Sequence, residues 1–151
     1  IPADQQKALV YVGKLGSTTT EGGTYKEYVP ITTAIAKLDT EVNTAALDHN
    51  LVVVGGPCAN RVAAELMGVN FGQWPECAAG IEQDSAIIKI FDDAFNSGKV
   101  AVLVAGYNAE NTRAAASILQ QYDTKLADID ASEVIVRGTE ASTATIEPVT
   151  E

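Results

Sequence analysis

The sequence predicts an α/β protein: a Rossmann-like parallel or mixed β-sheet with flanking helices, extended by a β-hairpin or strand at each end. Two short apolar runs, residues 51–54 and residues 100–105, are typical of buried strands. Each run is followed by a glycine turn and a helical pattern, which makes two strand–helix units. Because 46% of the 151 residues are hydrophobic, the chain can bury a substantial core.

Residues 1–30 are predicted to form an N-terminal β-hairpin extension. A strand is expected within residues 7–14, and the threonines and glycines of residues 18–23 predict the turn. The second strand covers residues 24–29 and ends at Pro30, because proline cannot donate to a ladder.

Residues 31–138 are predicted to form the α/β core domain. Within it, a polar segment over residues 39–50 precedes the first core strand. The strand over residues 51–54 is expected to be buried on both faces. Residues 60–67 predict a helix, with Gly68 as its left-handed C-cap. Residues 86–91 predict a strand, although a helix over residues 84–96 also fits the pattern.

The second strand–helix unit is the clearest element of the sequence. The strand over residues 100–105 ends at Gly106, and Asn108 is predicted to cap a helix that runs to about Tyr122. The stripe expected to face the sheet consists of Ala115, Ile118, Leu119 and Tyr122. A further strand over residues 132–136 and a C-terminal β tail within residues 139–151 complete the prediction.

The charge balance excludes two classes of partner. The chain has 10 Lys and Arg against 20 Asp and Glu, a net charge of -10. Such a surface repels nucleic acid phosphates and anionic lipid headgroups. No apolar run approaches the roughly 20 residues that span a bilayer, so we predict no membrane insertion within this stretch. The chain begins with Ile1 rather than Met, which indicates a processed protein or an excised piece.

The two strand ends are the natural place to look for a phosphate site. The turn Gly55-Gly56-Pro57 lacks the spacing of a dinucleotide fingerprint, and Pro57, at the first helical position, removes one N–H donor. Gly106 is likewise not part of a glycine motif, and Asn108 suits an N-cap. We interpret these five residues as structural turns and caps. Should a small anion bind, it would bind here.

Candidates for catalysis and for metal binding are few. His49 is the only imidazole and is expected in a loop before a strand, and no nucleophile motif accompanies it. We therefore predict no catalytic residue and no cofactor. Ca²⁺ is the one metal with candidate ligands, but no EF-hand loop is present. These ligands are Asp92, Asp93, Asp128 and Asp130.

Cys58 and Cys77 are the only two cysteines. Cys58 is expected just inside the first helix and Cys77 in the loop that passes back over it, so a disulfide is geometrically plausible. Closing such a loop would stabilise the fold by roughly 3 kcal/mol. Two buried reduced thiols are the alternative. An oxidised pair would place the protein outside the cytosol.

Four blocks of the sequence, in this order and spacing, resemble archaeal surface-layer (S-layer) proteins. They are AKLDTEV at 36–42, NLVVVGGPCAN at 50–60, AIIKIF at 86–91 and VLVAGYNAENTR at 102–113. The resemblance covers about residues 36–138. The family pattern usually has Asp where this chain has Asn111.

The resemblance implies an extracellular structural subunit at the cell surface, without a catalytic role, whose partners are copies of itself in a coat or filament. Coat-forming subunits are generally longer, so this chain is one domain of a larger protein or a short relative. The hairpin over residues 7–29 and the strand over residues 143–149 are candidate assembly elements, because a neighbouring subunit can complete an unpaired edge.

Two other functions stay open at this point. One is a Rossmann-like enzyme or ligand-binding module for a small anionic molecule, which predicts a pocket near Gly56 and Gly106. The other is a module that binds a cell-wall polymer through an aromatic groove. The aromatic residues that could line it are Tyr25, Tyr28, Trp74 and Tyr107.

Overall fold

A computed structural model of the chain describes residues 16–20, 23–27 and 35–150. The chain divides between Lys37 and Leu38 into two units, which are described separately. Within the described residues, every helix is too short or too polar to cross a membrane.

The N-terminal unit contains a β-hairpin made of β1 (Gly16–Thr20) and β2 (Gly23–Glu27), which pair antiparallel. The prediction of a turn over residues 18–23 is wrong for residues 18–20, three threonines that lie in β1. Threonine is β-branched and suits an extended strand, so β1 includes residues that were predicted to turn. The strand predicted within residues 7–14 lies outside the described residues, as does Tyr28.

The C-terminal unit contains a mixed sheet whose strands lie in the order β3-β5-β4-β6-β7. Only β3 and β5 run parallel, and every other neighbouring pair in this sheet is antiparallel. The mixed α/β class is therefore confirmed. The arrangement differs from a Rossmann-like sheet, in which successive strands run parallel, because β4 opposes both of its neighbours. The strands are β3 (Leu51–Val54), β4 (Ser85–Phe91), β5 (Ala101–Gly106), β6 (Glu133–Arg137) and β7 (Thr145–Pro148).

Two of these strands settle sequence predictions. Residues 85–91 form β4, so the alternative of a helix over residues 84–96 is wrong. The predicted C-terminal tail contributes β7, which pairs with β6 and so belongs to the sheet. The domain boundaries at residues 30 and 138 stay a prediction.

Three α-helices accompany the sheet: α1 (Arg61–Met67), α2 (Ala109–Leu119) and α3 (Tyr122–Lys125). Gly68 ends α1 with a left-handed φ of 65°. The prediction that α2 reaches Tyr122 is wrong, because Gln121 leaves the helical conformation with φ -110° and ψ 31°. Tyr122 begins the next helical turn and is 65% exposed instead of facing the sheet.

Helices α1 and α2 cover opposite faces of the sheet. On one face, Val62 and Ala63 of α1 join a core cluster completed by Val53, Ile81, Ile87, Leu103 and Ala105. On the other face, Ala115 and Ile118 of α2 join a second cluster completed by Ala86, Ile88, Val104, Val134 and Val136. Alternate residues of β5 thus enter alternate cores, as the two-residue period of a strand requires.

The prediction that β3 is buried on both faces is wrong. Val53 is buried, but Val52 is 62% exposed and Val54 is 52% exposed. The physical reason is position: β3 is an edge strand, and the cluster under α2 is built from β4, β5 and β6. One face of β3 therefore stays uncovered.

Candidate functional site at two strand-to-helix turns

The structure brings the two predicted glycine turns together. They follow β3 and β5, which are parallel neighbours, so both turns lie beyond the C-terminal ends of these strands, at the same end of the sheet. A Cβ atom on Gly56 would lie only 3.1 Å from the carbonyl oxygen of Gly106. The backbones of the two turns are therefore in close contact, which explains a glycine at position 56.

In the first turn, residues 57–59 precede the helix. The helix begins at Arg61 after the N-cap Asn60, so the predictions that Pro57 is the first helical residue and that Cys58 lies just inside the helix are wrong. The N–H groups of Ala59 and Asn60 both donate to the carbonyl of Gly56, at 2.9 and 3.0 Å. These two bonds close the turn before the helix begins.

Two N–H groups at the N-terminus of α1 donate to side chains of the chain itself. Asn60 Oδ1 accepts a hydrogen bond from the N–H of Ala63 at 3.1 Å. The N–H of Arg61 donates to Asp39 Oδ2 at 2.9 Å. A helix N-terminus attracts anions because its N–H groups are unpaired and its dipole end is positive. Here the carboxylate of Asp39 takes that position.

The second turn is held by a hydroxyl group. The N–H of Gly106 donates to Thr112 Oγ1 at 3.0 Å, and that hydroxyl donates to the carbonyl of Asn108 at 3.0 Å. Asn108 is the N-cap of α2, and its Oδ1 accepts from the N–H of Asn111 at 2.9 Å. A Cβ on Gly106 would lie 2.8 Å from Asn111 Cβ and closer still to the Thr112 nitrogen.

Asn111 is a structural residue that the sequence analysis missed. Its side chain is fully buried, and Nδ2 donates to the carbonyl of Gly138 at 3.0 Å, which ties α2 to the end of β6. Within the described residues, its Oδ1 has no partner. The burial of Asn111 could have been predicted from the helical spacing, because residue 111 lies on the same face of α2 as Ala115 and Ile118.

A cavity of about 540 Å³ lies between the two turns. Its position is the one that the enzyme or ligand-binding alternative predicts. The walls are largely apolar and include Trp74 and Tyr107, whose rings meet edge to face at 5.5 Å. Of the other aromatic candidates, Tyr25 lies in β2 of the N-terminal unit.

Three polar side chains that line this cavity, those of Asn108, Thr112 and Arg113, have partners within the chain. Asn108 and Thr112 hold the second turn, as described above. Arg113 donates to Glu110 at 2.9 Å in an exposed pair on one helix face. The arrangement caps two helices and joins two turns, which is a structural task.

His49 lies at the opposite end of β3 from the turns, in the loop that precedes the strand. Its side chain is exposed, and Nδ1 lies 2.6 Å from Asp48 Oδ1. This hydrogen bond lowers the pKa of the exposed Asp48 carboxyl below its ordinary value. The pair is a local surface contact.

The calcium candidates Asp92, Asp93, Asp128 and Asp130 stay a prediction. One carboxylate is engaged within its own loop, because Asp93 Oδ1 accepts from the N–H of Gly98. In the part of the chain that the structure describes, no three side chains of the metal-binding types come together.

The predicted disulfide between Cys58 and Cys77 is confirmed, with 5.0 Å between the two Cα atoms. It links the first turn to a short 3-10 helix, Glu76–Ala78, across a sequence separation of 19 residues. Cys77 is fully buried. The bond thus fixes one wall of the cavity to the turn.

Comparison with known proteins gives one family and two relatives. The model of the S-layer like family, outer domain, matches residues 3–122. An S-layer protein of Methanocaldococcus jannaschii is 44% identical over 91 residues, which cover 60% of this chain and 15% of that protein. An S-layer protein of Methanothermococcus thermolithotrophicus is 39% identical over 95 residues, 62% of this chain and 16% of that protein. The matched region is less than a fifth of either relative. No solved structure matches the chain.

Proposed function

The chain belongs to the S-layer like family, outer domain, and on this basis we propose that it is a non-enzymatic subunit of an extracellular archaeal surface layer. In this proposal it associates with copies of itself into a coat or filament. The observation that carries the proposal is the family match over residues 3–122, supported by two archaeal S-layer relatives. The match covers 15% and 16% of the two relatives, so their assembly is proposed here for the region that this chain matches.

The site supports a structural role. Asn60, Asn108 and Thr112 accept hydrogen bonds from N–H groups of the chain itself at the two turns, and Asp39 takes the anion position of α1. The disulfide supports an extracellular location, because such bonds persist mainly in oxidising compartments.

Electron microscopy of the purified chain tests this function. We expect ordered arrays or filaments above a threshold concentration, both in buffer and in buffer with a calcium chelator. Arrays that form only without the chelator would assign a Ca²⁺ requirement to the assembly. Monodisperse particles under every condition would contradict the proposal.

A second candidate function, binding of a cell-wall polymer, is favoured by one observation. Trp74 is 59% exposed and forms, with Tyr107, an aromatic wall of the cavity. The test is calorimetric titration with cell-wall polysaccharide, comparing Trp74→Ala with the control Tyr122→Ala, which removes an exposed aromatic ring from α3. Binding lost only in Trp74→Ala would support a polymer-binding module.

A further inference from the structure

We propose that the outer edge of β3 pairs antiparallel with β3 of a second copy, which joins the two sheets. The proposal rests on the proposed function, because it names the surface through which subunits meet. It concerns Leu51–Val54, a segment distinct from the terminal assembly elements expected from the sequence.

The hydrogen bonds of β3 determine which backbone groups face outward. The N–H of Leu51 donates to the carbonyl of Val100, and the N–H of Gly55 donates to the carbonyl of Val104. In a parallel pair, successive residues face alternate sides, so the backbone groups of Val52 and Val54 point away from β5. In the described sheet, β5 is the single neighbour of β3.

Part of this outer edge is already used. The carbonyl of Val54 accepts a long hydrogen bond of 3.3 Å from Asn60 Nδ2, and a carbonyl oxygen has room for a second donor. Among the described residues, none outside the strand bonds to the N–H or carbonyl of Val52 or to the N–H of Val54, so these groups can pair with another strand.

The exposed side chains beside this edge are apolar. Val52 pairs with Val102 of β5, which pairs with Ile90 of β4, so the three side chains share the α2 face of the sheet. Val52, Val54 and Ile90 are all large exposed hydrophobic residues. We call these three residues the edge patch. They lie beside the cluster that α2 covers.

At the opposite edge of the sheet, β7 carries residues that hinder pairing with a strand of another chain. The N–H of Val149 donates to the carbonyl of Glu133, so residues 146 and 148 of β7 face outward. Pro148 has no N–H to offer, and Glu147 adds a charge to this strand. Natural edge strands carry such residues to prevent pairing with other chains. β3 has neither a proline nor a charged residue.

A second copy of the chain is the occupant that fits this edge. The outward groups of Val52 and Val54 are arranged symmetrically about Val53, so an antiparallel copy places Val52 opposite Val54 with donors facing acceptors. The charge distribution also favours a copy. Two chains of net charge -10 repel each other over most of their surface, whereas residues 50–60 contain no charged side chain.

This contact is weak by itself. Two four-residue strands bury far less than the roughly 1,200 Å² of a stable interface. In a lattice, where other contacts hold the subunits side by side, the same pairing gains from the high effective concentration. We therefore expect monomers in dilute solution and assembly at high concentration.

The test uses the 151-residue chain and two variants of the edge. Val52→Pro removes the outward N–H and leaves the hydrogen bonds of Leu51 and Val53 to β5 in place, as Pro148 does on β7. Val52→Lys places a charge on the edge patch. Ala127→Lys, at an exposed residue of the turn that follows α3, is the matched control for added charge because it lies outside β3 and outside the terminal assembly elements. Light scattering gives the concentration at half-assembly, and thermal melting followed by circular dichroism reports on folding.

We expect both Val52 variants to raise the half-assembly concentration about tenfold or more, which corresponds to about 1.4 kcal/mol. Their melting temperature should equal that of Ala127→Lys, which should assemble as the unmodified chain does. Val52 variants that assemble normally would overturn the edge contact and leave the proposed function standing. A melting temperature that is lower in Val52→Lys than in the lysine control would show that another part of the same chain covers this edge. That result would also overturn the edge contact. Failure of the unmodified chain to assemble at any concentration would overturn both proposals.

Discussion

Gly106 and Gly68 illustrate two different reasons for a glycine. Gly68 needs the left-handed φ of 65° that ends α1, and a Cβ there would meet nothing within 4 Å. At Gly106 the obstacle is steric, because a Cβ would lie 2.8 Å from Asn111 Cβ.

We expect Gly106→Ala to lower the free energy of unfolding by about 3 kcal/mol, since the turn must move away from the first turn of α2. Gly68→Ala, the control, should cost about 1 kcal/mol for the left-handed conformation. Urea denaturation measures both values. Equal losses in the two variants would contradict the close packing at Gly106.

The Asp48–His49 contact makes a prediction about pH. The pKa of Asp48 is lowered in the folded chain, first by the hydrogen bond from His49. The contact therefore adds stability above the ordinary Asp pKa of about 4 and loses it as the pH falls through the lowered folded value. NMR titration should show the Asp48 midpoint rising in His49→Ala. An unchanged midpoint would contradict the hydrogen bond.

Local residue types at the turns could be predicted from the sequence, but distant partners could not. The cap Asn108 and the glycine Gly68 follow from rules that act within a few residues. Asp39, which accepts a hydrogen bond from the first N–H of α1, lies 22 residues before its partner Arg61. Nothing in the local pattern around residue 39 indicates that contact.

At the scale of secondary-structure elements, the apolar pattern identified β3 but not its place in the sheet. A run of valines predicts a strand, whereas edge or central position depends on pairing with β5, about 50 residues away. That β4 runs antiparallel to β5 could have been predicted from the length of the segment between them. Residues 92–100 are too few for the crossover of a dozen or more residues that a parallel connection needs.

The disulfide is the element-scale contact whose removal has the clearest consequence. It closes a segment with a sequence separation of 19 residues between the first turn and the short 3-10 helix. The double variant Cys58→Ser, Cys77→Ser should lower the free energy of unfolding by about 3 kcal/mol in urea. The unmodified chain under a reducing agent should show the same loss. Equal stability with and without the bond would contradict this role.

At the scale of the whole molecule, net charge opposes assembly. Copies with a net charge of -10 repel one another, and salt screens this repulsion because the Debye length is about 10 Å at 0.1 M. We expect the half-assembly concentration to fall several-fold between about 0.05 M and about 0.5 M NaCl. Light scattering at fixed pH measures it. Assembly weakened by salt would indicate that ion pairs, not apolar and backbone contacts, hold the copies together.

The central claim is that the chain is a structural subunit of a cell-surface coat. The most direct test is electron microscopy of intact cells that produce the chain, labelled with gold-conjugated antibodies against residues exposed on α3. We expect the label to cover the outer surface of the cell with a regular repeat. Label confined to the cell interior, or surface label without any repeat, would contradict the claim.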